Sequence, residues 1–342
     1  MDLQARRAFW FETIGMALLS VACFRLGFLL LVFLVPIQVA WLRRGEAGGL
    51  IASALMVAIV TVIATVIAVR STAQSGSMDG MPLIDIAVAA GPLLGLAVIN
   101  GSTVDAVAHR FGLKRDLTVA ERVLLVAVVA AVFYAPVLLV VSSSGAGDRF
   151  LDVQASFLRQ LLGESDSASG EIEATARLLV DVFVSGMIVV VLLLVLGSWW
   201  AGRRLVLRPR SGRQPDNEVF RRAKEARLAA YVIPAPMVWI LIGAWIGVVL
   251  TMVTDLGQFR HVVWNAALVM LVVYAGQGMA IGRHLLDRRG VSQGARIGVA
   301  IGLIVVLMVP GLNLVVIVGL PALGVSEVWI DYHRLEAIED TE

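Results

Sequence analysis

The sequence predicts an all-α membrane protein, a bundle of about eight to ten transmembrane segments whose last part is a hairpin broken at Pro-Gly. Hydrophobic residues make up 59% of the 342 residues and charged residues only 16%. Soluble domains are about 45–50% apolar and about 25% charged. Apolar stretches of about 20 residues, the length of a membrane-spanning helix, recur along the chain. A cytosolic enzyme, a secreted disulfide scaffold and a nucleic-acid-binding domain are therefore excluded.

The first apolar stretch, 8–42, would be roughly 50 Å long as one helix, which is too long for a single span. Arg25-Leu26-Gly27 divides it into segments 8–24 and 27–42. No small-x-small cleavage site precedes a polar start, so we expect this stretch to stay in the protein as an anchor.

Seven further apolar segments follow, and with the first two they form a single integral membrane domain over 1–342. They lie at 48–69, 82–100, 122–141, 178–200, 229–252, 261–282 and 295–323. Prolines predict kinks in several of them. Small residues repeat at helical spacing in the first, which predicts a face for close packing against other helices. That stripe consists of Ala54, Ala58, Thr61, Thr65 and Ala68.

Basic residues predict the orientation, because lysine and arginine concentrate in cytoplasmic loops. Most of the 28 lysines and arginines fall in five segments, which we place inside. These are the N-terminus, 43–47, 101–121, 201–228 and 283–296. The segments 70–81, 142–177 and 253–260 then lie outside. The expected location is the bacterial inner membrane, with a cytoplasmic N-terminus.

Two loops carry patterns of their own. The extracytoplasmic loop 142–177 has apolar residues at helical spacing and predicts an amphipathic helix, either a surface connector or a lid over a substrate. The cytoplasmic loop 201–228 is rich in arginine and either determines the topology or binds anionic lipid headgroups or a partner.

Motifs for soluble-type catalysis are missing from the sequence. There is no Gly-Lys dipeptide and hence no Walker A loop, and no HExxH pair. The four histidines fall in four separate segments, and Cys23 is the single cysteine. We therefore expect no catalytic residue, no metal ligand and no cofactor. The expected partners are the lipid bilayer and a second membrane protein or coupling subunit, with no nucleic acid.

Charged side chains at membrane depth are costly and mark candidate sites. Arg25 ends the first segment, while Asp85 and Asp181 lie near the outer ends of theirs. We predict a polar pocket open to the outer half of the membrane, in which Arg25 faces Asp85 or Asp181. The alternative is that these residues only position the helices at the interface.

The last apolar stretch is interrupted by Pro310-Gly311. Two half-length helices meeting there would form a re-entrant hairpin and return the acidic tail to the cytoplasm. A single kinked span would leave the tail outside. We favour the hairpin, with Asn313 bonding freed backbone groups at the break.

The residues after this stretch form a pattern, Gly324-x-x-Glu327-x-Trp329-x-Asp331-x-x-Arg334. It resembles the end of the YybS-like family, predicted bacterial membrane proteins with a domain of unknown function. Glu327 stands where that family usually has Asp. The resemblance is clearest over 229–334 and 10–70, and it implies a multi-pass inner-membrane protein. That family is distantly similar in fold to the S subunits of energy-coupling-factor transporters, which bind a nutrient and depend on a separate ATPase.

Two kinds of function follow as expectations. The favoured one is a non-enzymatic membrane component that regulates or supports a partner. The alternative is an S-subunit-like protein that binds or transports a small molecule and is energised by a separate ATPase. A membrane enzyme is the least favoured, because the acidic residues are scattered.

Overall fold

The computed structural model describes residues 3–27, 29–75, 81–101, 110, 117–143, 152, 155–156, 169–207 and 231–330. Within them the chain is all-helical and no residue forms a strand. This agrees with the predicted all-α class. The chain divides into two compact units, Met1–Arg115 with Leu125–Glu225 and Asp116–Leu124 with Ala226–Glu342.

Nine α-helices occur in the described part of the chain. They are α1 (Leu3–Arg25), α2 (Val35–Ser75), α3 (Met81–Asn100), α4 (Val119–Ser143), α5 (Ser169–Leu207), α6 (Met237–Val253), α7 (Phe259–Arg288), α8 (Gln293–Met308) and α9 (Leu312–Ser326). A short 3-10 helix, Leu30–Val32, precedes α2.

Among the described residues, six helical segments are long and apolar enough to cross a membrane, and these indicate a membrane protein. They are Gln4–Arg25, Leu30–Arg70, Leu83–Asn100, Val119–Pro136, Ile172–Leu207 and Phe259–Arg288. The remaining apolar helices α6, α8 and α9 are shorter, at 17, 16 and 15 residues. Helix α5 has 39 residues. At 1.5 Å per residue it is about 58 Å long, roughly twice the hydrocarbon thickness.

The first two segments depart from the prediction after the expected break. Helix α1 ends at Arg25 as expected. The predicted boundary between segments 27–42 and 48–69 coincides with a break at Gly45, but the residues 43–47 do not form a loop. The chain instead forms one kinked helix, α2, with Gly45 at φ 72° and ψ −166°. That backbone region is open essentially to glycine alone, so a sharp bend replaces the loop.

The predicted packing stripe on α2 was also wrong. Its buried face consists of Ala52, Met56, Val60 and Ala64, none more than 4% exposed. Ala54, Ala58 and Thr65 of the predicted stripe are exposed on the opposite side. Small residues therefore occur on both faces of α2, and their size alone did not identify the packed one.

Helix α3 packs through Gly91 and Gly95, two glycines that lie one turn apart. Gly91 lies against the ring of Tyr134, which is buried and donates its hydroxyl hydrogen to the Ala87 carbonyl at 3.0 Å. Gly95 lies against Val126 and Val195. The pair thus serves packing within this chain.

Local signals fix two helix starts. Before α4, the Thr118 amide donates to Glu121 Oε2 at 2.7 Å and the Glu121 amide donates to Thr118 Oγ1 at 3.3 Å, which is a capping box. Before α8, Ser292 Oγ accepts from the Ala295 amide at 3.4 Å. Helix α6 begins at Met237 rather than at 229, because Pro234 and Pro236 keep the preceding residues out of helical geometry.

In the second unit, α7 and α9 cross at a pair of glycines. A Cβ added to Gly278 would overlap the Leu320 carbonyl, and one added to Gly324 would overlap the Tyr274 carbonyl. The same added atoms would lie 3.3 Å and 3.1 Å from the amide nitrogen of the other glycine. The two backbones can approach this closely only because both residues lack a side chain.

Helices α8 and α9 are separated at the expected Pro310-Gly311. Val309 is extended and Gly311 has φ 87°. The Gly311 amide donates to Asn313 Oδ1 at 3.2 Å, so Asn313 bonds the freed backbone as predicted. At its other end, α8 is tied to the end of α7 by an ion pair between Arg296 and Asp287.

Several predictions fall on residues outside the described ranges. They include the amphipathic helix proposed for the loop 142–177, of which 152, 155–156 and the ends are described. They also include the basic loop 201–228 beyond Leu207, and the tail from 331 onward.

Candidate functional site

The structure brings together two of the three residues predicted to line a polar pocket. Arg25 Nη1 donates to Asp85 Oδ2 at 3.2 Å, and the two side chains are 30% and 36% exposed. The Arg25 guanidinium also lies 5.9 Å from the centre of the Phe24 ring. A pair this exposed is worth at most about 1 kcal/mol. Its charges nevertheless neutralise each other at the end of α1.

Asp181 lies in the first half of α5 and is half-buried. The pocket that would join it to Arg25 and Asp85 stays a prediction.

A second ionic cluster joins α1 to the kink in α2. Glu12 accepts from Arg43 Nη1 at 2.9 Å through Oε1, and from Arg44 Nε at 2.7 Å through Oε2. Arg44 also donates to the Ala8 carbonyl at 3.3 Å. The three charged side chains are 21–30% exposed. One carboxylate thus holds both arginines against α1.

Glu12 is a charged residue within the first apolar stretch, 8–42, and the sequence alone does not identify its partners. Two adjacent arginines followed by Gly45 are the sequence feature that could have indicated these partners. A loop at 43–47 would have left those arginines in water, and the kinked helix instead turns them back toward α1.

A pair of amides forms the third polar contact. Gln38 Nε2 donates to Asn100 Oδ1 at 3.0 Å, and Asn100 Nδ2 donates to Gln38 Oε1 at 2.5 Å. Gln38 is fully buried, and Gly202 of α5 lies against its side chain. Sequence reasoning missed this pair, because one uncharged amide in each of two apolar segments does not reveal that they meet.

The second unit has its own buried polar residues on α7. Asn265 donates to the His261 carbonyl at 2.8 Å, which satisfies it within the helix. Tyr274 and Gln277 are 1% and 2% exposed, and the Tyr274 hydroxyl and Gln277 Oε1 have no partner. The Tyr231 hydroxyl donates to the Val273 carbonyl at 3.2 Å.

Tyr231 precedes α6 and lies outside the span-length helices. Burial raises the pKa of its phenol, and the neighbouring Tyr274 adds to this effect. Tyr231 is therefore neutral at physiological pH and acts as a hydrogen-bond donor.

The C-terminal pattern separates into a packed part and an exposed part. Gly324 is buried in the crossing with α7. Glu327 is half-buried at the end of α9, and Trp329 is 73% exposed. Asp331 and Arg334 lie outside the described residues. A large exposed indole beside the end of an apolar helix is typical of a membrane interface.

Within the described ranges, no group of three His, Cys, Asp or Glu side chains is placed to hold a metal ion.

Comparison with known proteins adds no relative, since no family model, curated protein or solved structure matches this chain.

Proposed function

We propose that this protein is a multi-pass inner-membrane component without enzymatic activity that regulates or supports a partner membrane protein. The observation that carries this proposal is how the first unit uses its polar groups. Arg25 binds Asp85, Glu12 binds both kink arginines, and the Gln38 and Asn100 amides bind each other. Groups paired in this way hold helices together.

The spacing of these contacts supports alternating spans. Arg25 and Glu12 are 13 positions apart on α1, and Asp85 and Asn100 are 15 apart on α3. Each separation is about 20 Å along a helix. The polar contacts therefore lie at two levels, one with the Arg25–Asp85 pair and one with the contacts of Glu12 and Asn100. Two levels are expected when α1 crosses the membrane in one direction and α3 in the other. With the positive-inside rule, this favours a cytoplasmic N-terminus and an outer Arg25–Asp85 pair.

The glycine crossing supports the C-terminal hairpin. In a helix every Cα–Cβ bond tilts toward the N-terminus. The Cβ positions of Gly278 and Gly324 both point at the carbonyl one turn before the other glycine. Two parallel helices give this reciprocal pattern. If α9 runs parallel to α7, α8 runs back between them. This supports the proposal that α8 and α9 form a hairpin with the tail inside.

Membership of the YybS-like family is part of the proposal. It is supported by the role of Gly324, the first residue of the C-terminal pattern, in the close approach of α7 and α9.

One observation favours the alternative, an S-subunit-like protein that binds a small molecule. Arg25 and Asp85 lie side by side and remain about a third exposed. A pocket reachable from the outer side would need such an arrangement.

Cross-linking in intact membranes, followed by affinity purification in mild detergent, tests the proposal. A stoichiometric membrane protein recovered without an ATPase is the expected result. Recovery of a coupling subunit together with an ATPase would establish the alternative. A chain that purifies alone from cross-linked membranes would contradict both.

A further inference from the structure

Four buried polar atoms near the kink in α2 have no hydrogen-bond partner. They are Thr13 Oγ1, Trp41 Nε1, Glu46 Oε1 and Ser53 Oγ. Thr13 is 0% exposed and Trp41 is 4% exposed. More than about 90% of buried polar groups in proteins are hydrogen-bonded. Ordered water counts as a partner in that figure. Four such atoms in one helical unit therefore need polar partners that the protein itself does not supply.

Packing at Gly49 brings three of these atoms together. A Cβ on Gly49 would overlap the indole ring of Trp41, including Cε2, the atom bonded to Nε1. Glu46 lies three residues before Gly49 and Ser53 four residues after it. Residues at these spacings share one face of a helix. Glu46 and Ser53 therefore lie about one turn to either side of Gly49, the residue against which the Trp41 ring packs.

Helix α1 supplies the fourth atom. The Phe9 ring lies 3.5 Å from the Cβ position of Gly48, so this face of α1 packs on the beginning of the second part of α2 (46–75). Thr13 follows Phe9 by one turn and shares its face. Glu12, which binds both kink arginines, fixes the level of α1 here. Thr13 therefore faces α2 about one turn beyond Gly48, close to Ser53.

The chemistry of the four atoms defines the ligand. Trp41 can only donate a hydrogen bond, a Glu46 carboxylate can only accept one, and the two hydroxyls can do either. Glu12 and Glu46 carry together the same formal charge, of opposite sign, as the two kink arginines. A charged ligand would leave a net charge at membrane depth, which is costly.

We propose that Thr13, Trp41, Glu46 and Ser53 form a binding site for a small uncharged polar molecule of amide or polyol type. Such a molecule presents a donor beside an acceptor and bonds all four side chains. Trp41 precedes Gly45, while Glu46 and Ser53 follow it, so the ligand joins the two parts of α2 across the kink. This site goes beyond the proposed partner role and does not depend on it.

The test uses a cysteine in the site and a small uncharged probe. Ser53→Cys is prepared in the full chain with Cys23→Ala and purified in detergent. The probe is methyl methanethiosulfonate, and the matched control is Ala52→Cys, a fully buried neighbour on the packed face. We expect Ser53→Cys to react at least about tenfold faster than the control, because thiol modification follows access. Anionic and cationic thiosulfonates of similar reach should react at least about tenfold more slowly than the uncharged probe at the same cysteine.

Two results would overturn the proposal. If Ser53→Cys reacts no faster than Ala52→Cys, no site admits a small molecule there. If all three reagents react alike, the region is an open aqueous crevice occupied by water only. Thr13→Cys gives the same measurement from α1, in case the cysteine at 53 prevents folding. The uncharged adduct should also raise the melting temperature of Ser53→Cys, since a filled site stabilises the folded state.

Discussion

At the scale of single residues, the polar groups of the first unit are arranged by neutralisation. Glu12 alone would be an expensive anion in an apolar helix, and the two kink arginines would be expensive cations. Their mutual contacts at 2.9 Å and 2.7 Å remove most of that cost. The buried Gln38 amide and the half-buried Asn100 amide solve the same problem without charge. Each pair therefore also fixes which helices meet.

The amide pair gives the clearest residue-scale prediction. Gln38→Leu leaves the donor and acceptor of Asn100 unpaired and should cost about 1–3 kcal/mol of stability. The double variant Gln38→Leu/Asn100→Leu removes both polar groups and should be more stable than Gln38→Leu alone. Thermal unfolding in detergent of the wild type, both singles and the double gives the coupling energy. Strictly additive losses would show that the two amides do not depend on each other.

At the scale of helices, glycine and alanine allow two helices to approach closely. They have this effect only where they lie at the contact between the helices. Gly278 and Gly324 allow backbone contact between α7 and α9. Gly282 and Gly319 lie on the same two helices and have open space at their Cβ positions. The four glycines cannot be told apart in the sequence.

This difference predicts opposite effects for the same substitution. Gly278→Ala and Gly324→Ala should each force a methyl group into a carbonyl of the opposing helix and destabilise by about 1–3 kcal/mol. Gly282→Ala and Gly319→Ala, the matched controls, should be neutral or stabilising by up to about 1 kcal/mol, because alanine is the better helix former. The measurement is the melting temperature of each of the four variants compared with that of the wild type. Equal losses at all four positions would contradict the crossing.

A second element-scale prediction concerns the two faces of α2. Leucine at Ala52 or Ala64 should overpack the buried face and cost about 1–3 kcal/mol. Leucine at Ala54 or Ala58 should be tolerated, because both side chains are exposed. Melting temperature and yield of folded protein after extraction report the difference. Intolerance at Ala58 with tolerance at Ala52 would instead restore the stripe expected from the sequence.

These elements show what the sequence could predict. Apolar length predicted the helices, and Arg25-Leu26-Gly27 and Pro310-Gly311 predicted their breaks, because both signals are local. The kink at Gly45 was read as a loop, since Gly-rich charged residues serve either purpose and only contact with Glu12 distinguishes them. The pairing of Arg25 with Asp85 was among the predicted options. The amide pair and the glycine crossing depend on contacts between distant segments, which a single sequence does not specify.

At the scale of the whole molecule, topology follows from charge and from the alternation of spans. The two polar levels of the first unit are about 20 Å apart, so they fit within or at the edges of a hydrocarbon core of about 30 Å. The long helix α5 extends beyond the hydrocarbon core.

Reporter fusions test this arrangement. Fusions at Ser75 and Gly170 should report an extracytoplasmic location, and fusions at Arg115 and Arg213 a cytoplasmic one, because basic loops stay inside. Matched activity of a periplasmic and a cytoplasmic reporter at each position is the measurement. A cytoplasmic Gly170 would reverse the arrangement of the first five helices.

The tail has a separate test. A cysteine at Thr341, in a Cys23→Ala background, should resist a membrane-impermeant thiol reagent in intact cells and react after lysis. The reason is that the proposed hairpin of α8 and α9 would return the chain to the inner side. The broken backbone at Pro310 would then lie at membrane depth and be covered by protein. Labelling in intact cells would instead establish a single kinked span.

The kink at Gly45 also bears on how the chain enters the bilayer during synthesis. The part of α2 before the kink, 35–44, is only about 15 Å long and cannot cross alone. It carries two arginines at its end, each disfavoured by about 2.5–3.5 kcal/mol at the centre of an inserting helix. Their neutralising carboxylate has already emerged from the ribosome on α1. We therefore expect α1 and this short part of α2 to leave the translocon together, with Glu12 offsetting one of the two arginine charges, before the rest of α2 follows.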